Sequence, residues 1–364
     1  MSDYSGKIVE LEEELSTTRY NKRTQHHIGL IKAKIASLKD RRETSKKGKK
    51  EGEGYSVKKT GDATVVLLGF PSVGKSSLLN KLTNAESKVA AYDFTTLTVI
   101  PGLLEYNGAK IQILDIPGII EGAAEGKGRG KEVFSVIRSA DLLIILVDVL
   151  NPLTYKIIEK EVYDIGLRLN LRKPDVKITK TSKGGIHVIK TKPLTRLQDA
   201  TVKGILLEFR IINSDILIRQ DIDEDQLIDV IQDNKIYVPS IIILNKIDLA
   251  DDRKLEEQKK AIRPDLCISA EQSRNIPELK ELIFRKLNLT RIYCKQPGTE
   301  ADLTEPVILK GQSRIRDVCD RLHKDFSKRF IFARVWGSAR FPGLRINNLD
   351  YQLKDKDIVE LHLR

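Results

Sequence analysis

The sequence predicts an α/β fold, a doubly wound and mostly parallel sheet, and three observations predict it. First, the apolar run Ala63 to Leu68 leads into Gly69-Phe70-Pro71-Ser72-Val73-Gly74-Lys75-Ser76, and a helical stretch opening Ser77-Leu78-Leu79 follows. Second, three more apolar runs each end in a polar residue: Ile111 to Leu114 in Asp115, Leu142 to Val147 in Asp148, and Ser240 to Leu244 in Asn245. Mostly apolar runs of this kind suit strands buried on both faces. Third, the chain takes far more than a usual loop to pass from Asp148 to Asn245, so a separate piece of structure interrupts the core.

The first element has the form G-x-x-x-x-G-K-[ST] in a strand-to-helix context, the pattern of a phosphate-binding loop. Its glycines let backbone N–H groups crowd around phosphates, and the helix N-terminus adds a favourable dipole. In such a loop Gly69 through Ser77 surround the phosphates. Lys75 serves the β- and γ-phosphates, and the Ser76 hydroxyl is a natural Mg²⁺ ligand. Asp115 can reach the same Mg²⁺ through a water, and Gly118 offers a backbone N–H to the γ-phosphate. The chain therefore binds a nucleoside triphosphate.

The base is set by Asn245-Lys246-Ile247-Asp248. The Asp248 carboxylate can accept from both N1–H and the exocyclic N2 amine of guanine. Adenine has no donor at either place and would leave a buried acceptor unpaired. Asn245 can tie this segment to the phosphate loop, and the Lys246 stem can pack along the base. Cys267-Ile268-Ser269-Ala270-Glu271, after another short apolar strand, suits a backbone contact from Ser269-Ala270 to guanine O6. Directly beyond Asp115, residues 122–130 contain four glycines in nine positions. That is too many for a stable helix at about 1 kcal/mol each relative to alanine, and predicts a segment ordered by the γ-phosphate and released on hydrolysis.

Asp115-Ile116-Pro117-Gly118-Ile119-Ile120-Glu121-Gly122-Ala123-Ala124-Glu125-Gly126-Lys127-Gly128 resembles the signature of the Obg/DRG GTPases. Asp93-Phe94-Thr95-Thr96-Leu97-Thr98-Val99-Ile100-Pro101-Gly102 is similar to their first switch. The resemblance covers nearly the whole chain and points to the DRG (developmentally regulated GTP-binding protein) branch. It implies a P-loop GTPase with Lys75, Thr96 and Gly118 at the reacting phosphate. The switch-one Mg²⁺ ligand is Thr96, with adjacent Thr95 as the alternative. Where Ras-like enzymes carry a water-orienting glutamine, this chain has Ile119, which can neither donate nor accept a hydrogen bond. Some relatives use K⁺, held partly by an asparagine in the phosphate loop; Ser72 occupies that place here, which leaves K⁺ dependence open. Slow intrinsic hydrolysis, raised by K⁺, a partner protein or the ribosome, is the expectation.

The remaining elements follow in order. Residues 1–60 read as a helical hairpin, with Ile8, Leu11 and Leu15 on one stripe and Ile28, Ile31, Ile35 and Leu38 on another. A charged linker is expected from Asp40 to Lys59, and His26-His27 reads as a solvated turn rather than a metal site. The GTPase core is expected at 61–164 and 223–290. The insertion at 165–222 has strands Val176 to Thr181 and Ile186 to Thr191 and a helix Leu197 to Ile211. Gln226 to Ile231 is expected to return the chain to the core. The insertion resembles the small inserted α+β domain of DRG proteins, related to a ribosomal-protein fold. Residues 291–364 look like a TGS domain, a β-grasp module, with strands at Pro306 to Leu309, Phe332 to Trp336 and Ile358 to Leu363. One helix, Asp317 to Phe330, should stack Val318, Leu322 and Phe326. Trp336 reads as core or rim packing.

Charge divides by domain. Residues 1–60, 165–222 and 295–364 carry net charges of +6, +7 and +4, whereas the rest of the chain carries −5. Solubility alone would not need that partition; three basic modules around a GTP switch suggest contact with structured RNA. No apolar run reaches the ~20 residues of a membrane helix. Cys267, Cys294 and Cys319 show no pair spacing, which fits a reducing cytoplasm and neither a disulfide framework nor a zinc site. The expectation is a cytoplasmic, monomeric GTPase switch acting on the ribosome or another translation RNA. GTP/GDP and Mg²⁺ are its cofactors, K⁺ a possible third, and a stabilising partner protein assists it. The rival is an RNA-binding scaffold in which GTP is structural.

Overall fold

The computed structural model describes residues 3–21, 23–46, 61–83, 100–116 and 136–364. These fall into two compact units.

The larger unit is built on a six-stranded sheet: β1 (Ala63–Leu68), β2 (Ile100–Tyr106), β3 (Ala109–Asp115), β4 (Leu142–Asp148), β10 (Ser240–Asn245) and β11 (Leu266–Cys267). Their order is β11-β10-β4-β1-β3-β2, and all pairings are parallel except β2 with β3. Every residue of β1 is buried, Thr64 included, as its largely apolar run favours. The antiparallel β2 joins β3 through Asn107-Gly108, both at positive φ (52° and 77°), the turn chemistry that fits the twist of a tight hairpin. Helix Lys75–Leu82 buries Leu78, Leu79 and Leu82, and helix Ile276–Lys286 buries Leu279 and Ile283, in one core with the sheet. Because the five strands β1, β3, β4, β10 and β11 are parallel, their last residues lie along one edge. Ligands of open α/β sheets bind outside that carboxyl edge.

β5 (Leu167–Leu169) precedes the point where the chain leaves this unit, and β9 (Ile236–Val238) spans its return. The unit ends in a mixed five-stranded sheet of β12 (Leu289–Lys295), β13 (Val307–Lys310), β14 (Phe330–Trp336), β15 (Leu344–Ile346) and β16 (Asp357–Leu363), ordered β13-β12-β16-β14-β15. Helix Ile315–Leu322 covers one face of it through Ile315, Val318 and Cys319. The single helix expected over Asp317 to Phe330 is two, Ile315–Leu322 and Phe326–Arg329. His323 lies between them in an extended conformation (φ −161°, ψ 139°), where its carbonyl accepts the Phe326 N–H at 3.0 Å. Leu322 is consequently 43% exposed and does not stack with Val318 and Phe326.

The second unit joins the hairpin to Leu171–Tyr237. Helices Asp3–Thr17 and Gln25–Lys46 pack through Ile8, Ile31, Ile35 and Leu38. Ala33 of the second helix also enters a core formed by helix Asp199–Glu208, helix Glu224–Gln232 and the sheet β6 (Val176–Lys180), β8 (Ser214–Ile218), β7 (Ile186–Lys190). Close helix contact is enforced by glycine: a Cβ on Gly204 would lie 2.7 Å from Leu30, and one on Gly29 would lie 2.9 Å from Thr201.

Three expectations are corrected in this unit. Helix Glu224–Gln232 does not return to the GTPase core; a capping box of Asp223 and Gln226 starts it, and Leu227 and Ile228 face the core of the insertion. The first part of the linker expected from Asp40 to Lys59 is helical, because the helix runs on to Lys46; residues 47–60 lie outside the described residues. His26 and His27 are helical rather than in a turn, bonded to Thr201 (3.0 Å) and Glu14 (2.9 Å).

Candidate nucleotide-binding site

The loop Gly69 to Gly74 leaves β1 at the carboxyl edge and feeds helix Lys75–Leu82. Gly74 sits at φ 96°, and a Cβ there would lie 2.5 Å from Asn245 Nδ2, so both conformation and space demand glycine. Ser72 also adopts a left-handed conformation, φ 60°, at a cost of about 1–2 kcal/mol for an ordinary residue. No side chain caps the helix start, which leaves first-turn N–H groups facing the loop.

Lys75 is buried, and its ammonium donates to the carbonyls of Gly69 (2.9 Å) and Phe70 (3.0 Å). An ammonium has three donors, so one remains for a ligand oxygen. Burial pushes the Lys75 pKa down, opposed by the nearby Asp115. The Ser76 hydroxyl donates to Asp115 Oδ2 at 3.0 Å, joining the helix start to the end of β3. Asp115 is 2% exposed and its Oδ1 has no hydrogen-bond partner. Burial raises the Asp115 pKa, tempered by the Ser76 hydrogen bond and by Lys75. A hydroxyl beside an unpartnered buried carboxylate oxygen is a hard-oxygen donor set of the kind Mg²⁺ takes.

Asn245 acts as a latch on the last residues of the loop. Its Nδ2 donates to Val73 O at 2.9 Å, and its Oδ1 accepts the Ala270 N–H at 3.0 Å. The Ala270 amide expected at guanine O6 is thus engaged by Asn245, because β10 and the loop after β11 end side by side. Ser269 is fully buried and its hydroxyl accepts the Gln272 N–H at 3.1 Å. Lys246, left-handed at φ 63°, extends to Asp148 Oδ2 at 2.8 Å. Asp248 is the middle residue of the short helix Ile247–Leu249, and its Oδ1 is buried without a partner.

The structure therefore gathers Gly69 to Ser77, Asp115, Asn245, Lys246, Asp248, Ser269 and Ala270 at one edge. Thr95, Thr96, Gly118, Ile119 and the glycine-rich stretch lie outside the described residues. Asp148 was not singled out from the sequence as a site residue. The available signal was a carboxylate ending an apolar strand next to the one that ends in Asn245, and the register indeed sets Asn245 opposite Asp148.

Among known proteins, the family described as 50S ribosome-binding GTPase matches residues 64–183. The C-terminal region of the same domain matches 183–289, and the TGS domain matches 290–363. A GTP-binding protein of Methanocaldococcus jannaschii is 49% identical over 98% of this chain and 92% of its own length. Developmentally-regulated G-protein 3 of Arabidopsis thaliana is 46% identical, and developmentally-regulated GTP-binding protein 1 of Xenopus laevis 44%, each over 99% of both chains. The chain belongs to this family of GTP-binding proteins.

Membership fixes the ligand class as a guanine nucleotide, which this family usually takes with Mg²⁺. The P-loop GTPase domain carries a C-terminal TGS domain, which is the five-stranded sheet module described above. Among the described residues no helix is long and apolar enough to cross a membrane.

Proposed function

We propose that the protein is a Mg²⁺-dependent GTPase switch of the Obg/DRG type acting on the ribosome or another structured translation RNA in the cytoplasm, assisted by a stabilising partner protein. One observation carries the nucleotide part: two buried carboxylate oxygens without partners, Asp115 Oδ1 and Asp248 Oδ1, one beside Ser76 at the start of the helix after the glycine-framed loop and one on the turn whose Asn245 is bonded to that loop. Ser76 and, from the sequence, Thr96 would hold the metal, with Asp115 reaching it through a water; the metal would supply charge neutralisation at the phosphates. Lys75 presents its third donor to the γ-phosphate, the residues from Gly69 to Ser77 present backbone N–H groups, and Gly118 adds one more. Asp248 accepts from the guanine edge, while Asn245 keeps the base-reading turn in register with the loop.

Ile119 cannot orient the attacking water, so the proposal includes slow intrinsic hydrolysis, near the ~10⁻³ s⁻¹ of unassisted switches. K⁺, the partner or the ribosome would raise it. The target is supported by the basic appendages and by the ribosome-binding name of the matching family. A scaffold that merely holds GTP is favoured only by the isoleucine.

Turnover in KCl and NaCl, with and without ribosomes, together with ribosome co-sedimentation in GDP and a non-hydrolysable GTP analogue, tests the proposal. K⁺ or ribosomes should raise turnover, and the analogue should increase pelleting. Intact GTP under all conditions would establish the scaffold, and rapid hydrolysis in Na⁺ alone would remove the need for assistance.

A further inference from the structure

The TGS sheet has a second face. Ile292, Val359, Ala333, Val335 and Ile346 point to the helix side, into the module's core. Residues alternate across a strand, so their neighbours on β12, β16, β14 and β15 point the other way. On that outward face the Arg345 guanidinium lies 4.0 Å from the Phe332 ring, and Phe332 in turn stacks on His362 at 4.0 Å and 15°. Lys295 sits 4.2 Å from the Trp336 ring.

The face has one central carboxylate, Glu360, and both its oxygens are engaged. Oε1 meets His362 at 2.7 Å and Oε2 meets Lys295 at 3.2 Å. Burial alone would raise the Glu360 pKa, but these two hydrogen bonds and charges bring it below the usual glutamate value, so the carboxylate is ionised and fully used. Arg334 lies in register between Glu360 and Arg345, and is exposed. Neither Arg334 nor Arg345 meets a carboxylate among the described residues. Two guanidinium groups are therefore left without a carboxylate beside a row in which Phe332 is stacked between Arg345 and His362.

We propose that this face binds single-stranded RNA, with Arg334 and Arg345 at phosphates and bases stacking against the Arg345–Phe332–His362 row. The inference rests on the RNA reading above and names the surface that carries it. A phosphate strand supplies the missing negative charge, and its bases supply flat partners for guanidinium and aromatic planes. An A-form duplex buries its base planes and cannot use such a surface for stacking. An acidic peptide would bring charge without rings.

The test uses the full chain and a fluorescein-labelled single-stranded oligoribonucleotide of mixed sequence, about 12 nucleotides long, followed by anisotropy across a salt series. Arg334→Gln with Arg345→Gln should raise Kd at least tenfold. Two lost phosphate contacts should also flatten the log–log salt dependence by about 1.4. GTP binding, measured on the same preparations, should stay unchanged and shows that the variant is folded. Arg316→Gln, on the helix side, should leave RNA affinity as in the wild type.

Wild-type binding that survives the double substitution overturns this face but leaves the RNA reading standing. A wild type that binds neither the oligonucleotide nor ribosomes overturns both. Competition by duplex RNA or polyglutamate as strong as by the single strand overturns the assignment to stacked single strands.

Discussion

The two ends of the nucleotide site use the same chemical device in different surroundings. At the phosphate end Asp115 is almost completely buried, bonded to Ser76 and close to Lys75, with burial lifting its pKa. At the base end Asp248 is only partly buried, on a short turn that Asn245 latches to Val73 and that Lys246 braces against Asp148. Each carboxylate has a buried oxygen without a protein partner. The difference separates affinity from selectivity. The phosphate end concentrates charge on buried side chains, where a metal and phosphates would gain most. The base end holds a directional acceptor in a fixed place, where the wrong base loses most.

The sharpest way to break that division is Asp248→Asn. The amide can no longer accept from both guanine donors, but it can donate to the carbonyl that xanthine carries in place of the exocyclic amine. GTP affinity should fall by about 10²–10³, the effect of losing one charge-assisted hydrogen bond and leaving guanine donors unpaired, while XTP binding rises. Competition of both nucleotides against a fluorescent guanine nucleotide measures it. An equal loss for GTP and XTP would place Asp248 in folding rather than in base reading.

That Asn245-Lys246-Ile247-Asp248 would form a turn at the end of a core strand was legible from the apolar run before it, and the structure puts it at the end of β10; the proposed guanine contact is what would dictate its residue types. The parallel core was legible, because strands buried on both faces are mostly apolar, with single polar residues such as Thr64, Gln112 and Ser240 among them. What escaped the sequence depended on contacts between distant segments. The shared core of the hairpin and the insertion arises from Ala33, Val202 and Leu227, none of which marks its partner. The fate of the Ala270 amide depended on how closely β10 and the β11 loop end together. The break at His323 is a local turn inside a sequence whose apolar spacing reads as one helix.

A smaller effect separates the two ends by pH. The Asp115 pKa in the folded protein is raised above its unfolded value, chiefly by burial. In the nucleotide-free protein its contribution to stability is therefore greatest below the unfolded pKa and is lost as pH rises through the folded one. Mg²⁺ needs the ionised form, so Mg²⁺-dependent nucleotide affinity should run the opposite way and decline on acidification through the same range. Asp115→Asn removes the titration. It should raise the melting temperature of the nucleotide-free protein at neutral pH by a few degrees, as about 1 kcal/mol does in a domain of this size. It should also abolish the stimulation of GTP binding by Mg²⁺. A nucleotide-free melting temperature that drops would show that the carboxylate is stabilised by Ser76 and Lys75 more than it is penalised by burial.

The mildest perturbation addresses the brace behind the base end. Lys246 Nζ meets Asp148 Oδ2 at 2.8 Å, with side chains 30% and 14% exposed, and Asp148 Oδ1 also accepts the Leu150 N–H at 2.8 Å. A pair this shielded is worth more than a surface ion pair, yet it sits in a turn already latched by Asn245, so about 1 kcal/mol is the scale to expect. Asp148→Asn keeps the hydrogen bond to Leu150 but leaves the lysine head without its counter-charge. The stem that flanks the base then loses its fixed direction. Release of a fluorescent GDP analogue should quicken about fivefold while the selectivity for GTP over XTP stays intact, because Asp248 is untouched. Asp148→Glu should recover part of the lost residence time by restoring the charge. If selectivity fell along with residence time, the brace would be part of base reading itself, and the two ends would differ less in kind than their surroundings indicate.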